Sequence, residues 1–433
     1  MADAPGPDAA AATARDLLTH PPTLAFLVAV TASTMASVAQ VTALGKQVFD
    51  LTQSELDLGL IGLAEFIPAA LLALPAGTLA DRFDRRMVMG IGLTGEMACS
   101  LAIALAVHRG VTTITPLLAL VVAFGVFRAI TAPAARALPA TLVAPGGLPR
   151  IIPLFSGAWQ IGLIVGPLLA GFLFLVSPSL PYVAAAALLG IAVLALPLIR
   201  LHPDAVVRDP DAAPPKLRDA LEGLQIIRRS PILLGAISLD LFAVLFGGAV
   251  ALLPALADER LGVGAGGLGI LRAAAGAGAA VTTVVLVARP VRRRVGRVLF
   301  VAVACFGVAS IVLGVTHTFA VALAALLLLS GADAVSVFIR ATLVPLITPD
   351  EYRGRVMAVE GVFIGASNEL GAFESGLAGN WLGAAGSVVF GGVATLAVVG
   401  VWVTAFPALR DVDRFDDVQP AELGPLSPQE STT

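Results

Sequence analysis

Long apolar runs, each broken by a few polar residues, set the pattern of this chain. Twelve of them recur along its 433 residues, at about 24–45, 58–80, 87–107, 115–137, 150–176, 181–200, 231–256, 263–288, 297–315, 319–346, 356–379 and 384–407. Each is close to the roughly 20 apolar residues a helix needs to cross a bilayer. They are rich in Leu, Ala, Val and Gly and lack the period-two alternation of a barrel strand. The pattern predicts an all-α polytopic membrane protein with twelve transmembrane helices. Composition agrees: 58% of residues are hydrophobic and 13% charged, about half the charge of an ordinary soluble domain.

The cations orient the chain. Lys46, Arg109 and Arg260 fall in alternate loops on one side, and Arg128, Arg136, Arg272 and Arg340 lie within spans or at their ends. The other lysines and arginines gather on the opposite side or in the tails, which predicts that side, and both termini, to be cytoplasmic. The first 20 residues lack the charged start and cleavage site of a signal peptide and read as a cytoplasmic tail.

The chain also repeats. Arg136-Ala137, Leu142 and Pro145 recur as Arg340-Ala341, Leu346 and Pro349 at an offset of 204, and Gly166 and Gly171 recur as Gly371 and Gly376 at 205. The organisation expected is a tail over 1–22, a six-helix bundle over 23–200, a linker over 201–230, a second bundle over 231–408 and a disordered tail over 409–433. Within the linker, Leu217, Leu221, Leu224 and Ile227 recur at helical spacing, with Arg218, Arg228 and Arg229 elsewhere on the cylinder. This predicts a short amphipathic helix, either on the membrane surface or simply solvated.

The remaining chemistry excludes several classes. No Ser/His/Asp set, HExxH or paired histidines suggest an enzyme, and no phosphate-binding loop suggests direct ATP drive. A net charge of −3 gives no footprint for nucleic acid. Cys99 and Cys305 read as buried apolar residues, and no cofactor or metal is expected. The density of charge from Asp81 to Arg86, five charged residues in six, marks a turn between spans 2 and 3. As a topology anchor it accounts for the arginines and leaves Asp81 and Asp84 unexplained.

Ionisable residues inside spans are the sharper signal, because inserting each costs roughly 2.5–3.5 kcal/mol. Candidates are Glu65, Glu96, Arg128, Asp240, Arg272, Asp333 and Glu369, with Asp240, Arg128, Asp333 and Glu369 nearest mid-membrane. Each acid has two readings: a proton site, or a structural ion pair or hydrogen-bonded neutral carboxyl. A carboxyl in an apolar cavity is pushed toward neutral pKa in general, which suits proton cycling. In span 5, Gly162, Gly166, Pro167 and Gly171 form a small-residue stripe with a local loosening of the helix. That suits either a gating contact or ordinary helix packing.

These motifs together resemble the major facilitator superfamily of transporters. The family's loop motif, Gly-x-Leu-Ala-Asp-Arg-x-Gly-Arg-Arg, is matched by Gly77, Leu79, Ala80, Asp81, Arg82, Arg85 and Arg86, with Asp84 where the family has glycine. "GVFRAITAP" places Arg128 at the family's buried arginine, and "IGLIVGPLLAGF" resembles its antiporter motif. "YRGRVMAVEGVFIGASNELGAFESGLAG" resembles the branch that contains the enterobactin exporter and macrolide efflux proteins.

The resemblance implies two pseudo-symmetric six-helix bundles and a cavity lined by spans 1, 4, 7 and 10. That cavity would include Arg128, Asp240, Asp333 and Gln40, with Glu65 and Glu369 as further acids. It also implies a gate in which Asp81 meets span 11 and Arg136. The expected function is a monomeric secondary transporter of the bacterial inner membrane. It would export a small amphipathic or apolar molecule in exchange for protons, with Asp240 or Asp333 as carrier and Arg128 as the moderating charge. An uncoupled facilitator or uptake carrier of the same fold is the alternative.

Overall fold

A computed structural model describes residues 19–143, 147–200 and 217–418, with side chains except at 73–74, 80–81 and 217–220. Most of both tails, residues 201–216 of the linker and the side chain of Asp81 therefore lie outside the described residues.

Among the described residues, twelve helices form the body of the protein. In the first half they are α1 (Pro21–Thr52), α2 (Glu55–Arg82), α3 (Arg85–His108), α4 (Thr115–Ala137), α5 (Leu148–Val176) and α6 (Leu180–Ala195). After a linker helix, Leu217–Arg229, come α7 (Pro231–Phe246), α8 (Gly264–Ala288), α9 (Val295–Val315) and α10 (Phe319–Ile347). The run Arg353–Ala405 is two helices, α11 over 353–382 and α12 over 384–405, broken at Gly383, whose φ of 71° glycine adopts without a Cβ penalty. Among the described residues, nine helices are long and apolar enough to cross a membrane, with α11 and α12 together counting as one.

Prolines open several of these helices. Pro21, Pro231 and Pro407 stand at first helical positions, where the missing N–H has no intrahelical partner to lose. Ser230 caps α7 by accepting from the Leu233 amide, and the chain bends by 109° between the linker helix and α7.

Three boundaries differ from the sequence reading. α1 continues past 45 to Thr52, so Lys46 is not in a loop: it is 9% exposed and paired one turn on with Asp50, which lets the helix carry the charge. The Asp81–Arg86 turn is far tighter than expected, with Asp81 and Arg82 ending α2, Arg85 and Arg86 beginning α3, and two residues between. α7 stops at Phe246, where Gly247 and Gly248 interrupt it, and a short helix and a π turn, Leu256–Arg260, complete the expected span.

Contacts group the chain into two compact units. Unit 1 comprises Met1–Thr52, Ile67–Pro214 and Gly264–Ala273; unit 2 comprises Gln53–Phe66, Pro215–Val263 and Ala274–Thr433. In unit 1 the core runs through Phe26, Val30, Met89, Leu93, Leu138, Ile151 and Leu189, joining α1, α3, α5 and α6. In unit 2 it runs through Ile227, Leu233, Leu239, Leu299, Ile339, Leu343 and Val356.

The linker helix belongs to the unit 2 core. Ile226 and Ile227 are fully buried, Glu222 pairs with Arg355 at 2.9 Å, and a Cβ on Gly223 would lie 2.7 Å from the Arg355 carbonyl. Leu221, expected on the apolar face, is half exposed. The buried face is thus turned toward Gly223, Ile226 and Ile227, because the helix packs on the first turns of α11.

The disordered tail expected from residue 409 does not begin there. Pro407–Arg410 is helical, and Leu409 is fully buried in the unit 2 core. The segment caps α9: the amides of Val295 and Gly296 donate to the carbonyls of Asp413 and Val412 at 3.1 and 3.0 Å, and the Arg294 amide donates to the Asp413 carboxylate at 3.1 Å. These are amides that a helix start otherwise leaves unpaired. A Cβ at Gly296 would lie 1.9 Å from the Leu409 carbonyl oxygen. Gly296→Ala is therefore expected to undock the segment and cost about 1–3 kcal/mol. Melting of the purified protein should fall, with faster proteolysis near residue 410, while Gly354→Ala, which meets nothing within 4 Å, should change neither. Equal behaviour of the two variants would show that the tail is not held at this point.

Candidate functional site

At the arginine-rich end of unit 1 the charged residues join helix ends. Asp84 caps α3, accepting from the Arg86 amide at 2.8 Å. The Arg86 guanidinium grips the same carboxylate, at 2.6 Å from Nη2, and donates from Nη1 to the Ile199 carbonyl beyond α6 at 3.0 Å. Arg85 donates to the Ala137 carbonyl, the last of α4, at 3.0 Å. Cations on terminal carbonyls complement the negative ends of helices. The Arg86 hydrogen bond is the main cause holding the Asp84 carboxyl below its ordinary value. Asp84, the departure from the family motif, thus works as a helix cap. Gly77 meets nothing within 4 Å of an added Cβ, and Arg136 and Arg82 are exposed. The contacts expected of Asp81 lie outside the described residues.

The glycines of α5 sit at backbone contacts. A Cβ at Gly166 would lie 2.7 Å from the Met35 carbonyl, one at Gly162 2.7 Å from the Thr34 side chain, and one at Gly171 2.6 Å from the Ala265 carbonyl. Beside them, the Pro167 carbonyl lies 2.6 Å from where a Cβ on Gly269 would stand. Small residues at these positions let α5 run directly against α1 and against the start of α8.

The embedded acids separate into groups. In unit 2, Asp240 on α7 accepts from Arg340 Nη2 on α10 at 2.7 Å, and Glu360 on α11 lies 3.6 Å from Arg340 Nη1. All three are buried, at 5%, 3% and 7% exposure for Asp240, Arg340 and Glu360. Asp333, two turns before Arg340 on α10, joins Asp240 and Ser336 around a cavity closed by Val244, Val303 and Phe306. Its volume of about 10 Å³ is at the lower bound for one water. Ser336 Oγ and Arg340 Nε are buried without a protein hydrogen-bond partner.

The positive charge beside Asp240 is therefore Arg340, whereas Arg128 was expected there. Arg128, on α4, acts on Glu96. Arg340, expected within a span or at its end, sits two turns before the end of α10 at Ile347. Its repeat partner Arg136 ends α4 and is exposed, so equivalent positions have diverged. The repeat was the signal that could have found Arg340; Glu360 had no such signal beyond its place in an apolar run.

In unit 1, Gln40 is buried and accepts from Ser100 Oγ at 2.5 Å, while Glu96 accepts from Thr131 Oγ1 at 2.7 Å. Glu65 and Glu369 are half-buried on α2 and α11, where a Cβ on Gly62 would lie 3.0 Å from the Glu369 carbonyl. Arg272 donates to Thr42 Oγ1 at 3.4 Å.

Long apolar helices with buried ionic groups in their middles describe a polytopic membrane protein. The chain belongs to the major facilitator superfamily, whose model matches residues 23–372. It is accordingly a twelve-helix, two-domain membrane transporter of small molecules, and not an enzyme. No curated protein sequence matches it significantly.

Solved structures share the fold. A bacterial homologue of the human lysosomal transporter Spinster, inward-facing and occupied, aligns with a TM-score of 0.68 at 16% identity over 92% of this chain and 98% of that one. The nucleoside transporter NupG aligns at 0.66 and 14%, over 89% and 97% of the two chains. The human organic anion transporter MFSD10 aligns at 0.59 and 19%, over 92% and 100%.

Proposed function

We propose that this transporter exports a small amphipathic or apolar molecule across the bacterial inner membrane by exchange with protons, as a monomer with both termini in the cytoplasm. The observation that carries the reading is the buried Asp240–Arg340–Glu360 group with Asp333 on the adjoining cavity. Packing gains nothing from four ionisable groups in hydrocarbon, so their retention is best explained by function. A carboxylate that pairs with an arginine in one state and a proton in another gives the transporter a way to couple the two. The scarcity of charge on α1, α4, α7 and α10 supports an apolar or amphipathic cargo. The α5 glycine–proline stripe supports export, and the distribution of Lys and Arg supports the orientation.

Vesicles reconstituted with the purified protein and loaded with a panel of amphipathic fluorescent dyes test it. At least one dye is expected to move against its own gradient when a pH gradient is imposed, and to stop when a protonophore collapses it. Dye movement that ignores the pH gradient would replace antiport by facilitated diffusion in the same fold.

A further inference from the structure

Glu96 takes no part in the Arg340 group. It lies on α3 in unit 1 at 2% exposure. Two glycines on its own helix form a notch for α4: a Cβ at Gly92 would lie 2.1 Å from Thr131 Oγ1, and one at Gly95 would lie 2.2 Å from the Phe127 ring. That notch is what brings the Thr131 hydroxyl to 2.7 Å from Glu96 Oε1.

The hydroxyl also lies 3.0 Å from the carbonyl of Phe127, one turn earlier on α4. A threonine hydroxyl carries a single proton, and a carbonyl can only accept. The two contacts allow two arrangements of that proton. With Glu96 ionised, Thr131 donates to it. With Glu96 protonated, the carboxyl donates to Thr131 Oγ1 and Thr131 turns its own proton to the Phe127 carbonyl. Only an O–H bond on Glu96 is made or broken, and the hydrogen bonds reverse without movement of heavier atoms.

The surroundings suit such a site. Arg128 on α4 and the Ser37 hydroxyl on α1 both act on Glu96. Cys99, on the same helix, feels its charge. Gln40 reaches the Ser100 hydroxyl next to it, and Ser100 also lies 2.9 Å from the Glu96 carbonyl. α6, packed on α3, carries no charged residue. Lys46 and Asp50, further along α1, pair with each other.

We propose that Glu96 is a second reversible protonation site, built into unit 1 and separate from the Arg340 group. Its ligand is the proton, exchanged with water. The site does not depend on the antiport reading, because it binds a proton whether or not the cycle is driven by one.

Infrared difference spectra of the purified full-length protein, stepped from about pH 5 to about pH 9, read it directly, a range that covers buried glutamates with strongly raised pKa values. The wild type is expected to lose a carboxylic-acid C=O band as pH rises. That band should be absent in Glu96→Gln, displaced in Thr131→Val, restored in position in Thr131→Ser, and unchanged in the Asp240→Asn/Asp333→Asn double variant. A Glu96→Gln spectrum identical to wild type, or a Glu96 band present unchanged across the whole range, would make Glu96 a fixed structural group. If Glu96→Gln fails to fold, the threonine pair decides: a titrating band that does not move in Thr131→Val overturns the site. Loss of the band only in the double variant would assign titration to unit 2 and overturn the proposal while leaving the antiport reading intact.

Discussion

Arg340→Met is expected to destabilise the protein by about 3–5 kcal/mol, the usual cost of removing one partner from a buried ion pair. Arg340 is 3% exposed and faces Asp240 at 2.7 Å and Glu360 at 3.6 Å. Methionine fills much of the volume but leaves two carboxylates without their counter-charge in a medium that solvates them poorly. The loss should be read as a lower melting temperature in detergent at neutral pH. Two companions locate the effect. Adding Asp240→Asn to Arg340→Met should recover a large part of the loss, since it removes the stranded charge. Arg136→Met, at the equivalent position of the sequence repeat, should fall within about 0.5 kcal/mol of wild type, as exposed substitutions usually do. An Arg340→Met loss no larger than that of Arg136→Met would mean that the ion pairs contribute nothing to the fold.

The contrast between those two arginines shows what the sequence could and could not reveal. Helix number and the break near residue 383 were legible because bilayer thickness sets the length of each span and backbone satisfaction makes it a helix. The repeat was legible in residues recurring at a fixed offset. Local side-chain pairing was less so. Lys46 looked like the start of a loop because a hydropathy pattern does not register that Asp50, one turn on, pairs with it. Asp240, Arg340 and Glu360 come from three helices, and no local pattern marks such a meeting. Depth along a span favoured Asp240, Asp333 and Glu369 over Glu96. Its burial is set by Gly92 and Gly95, whose notch admits Thr131 and Phe127 from the next helix. The tail was read as polar chain, and Leu409 and Val412, the two residues that anchor it, are few among charges. In each case the missing information was which face meets which neighbour.

Asp240→Asn is expected to abolish uphill export in vesicles while leaving exchange of substrate across the membrane largely intact. A pH difference of one unit is worth about 1.4 kcal/mol per proton. A transporter exchanging one proton per substrate can therefore concentrate a neutral dye up to about tenfold per pH unit, and an uncoupled one not at all. Asparagine keeps the size of the side chain and can still accept from Arg340, but it can neither carry a proton nor hold a negative charge. Coupling should vanish because the competition between Arg340 and the proton for the Asp240 carboxylate is gone. Substrate exchange, which needs only the conformational cycle, should persist, and so distinguishes uncoupling from misfolding. Asp333 lines the same cavity as Asp240, with Ser336 beside them. If the roles are reversed, Asp333→Asn gives the uncoupled phenotype and Asp240→Asn retains accumulation. Continued accumulation in both single variants and in the double variant would exclude this group as the carrier. The coupling would then have to run through another embedded acid, Glu96, Glu65 or Glu369, and the ion pairs of Arg340 would be left with the structural role that the first prediction measures.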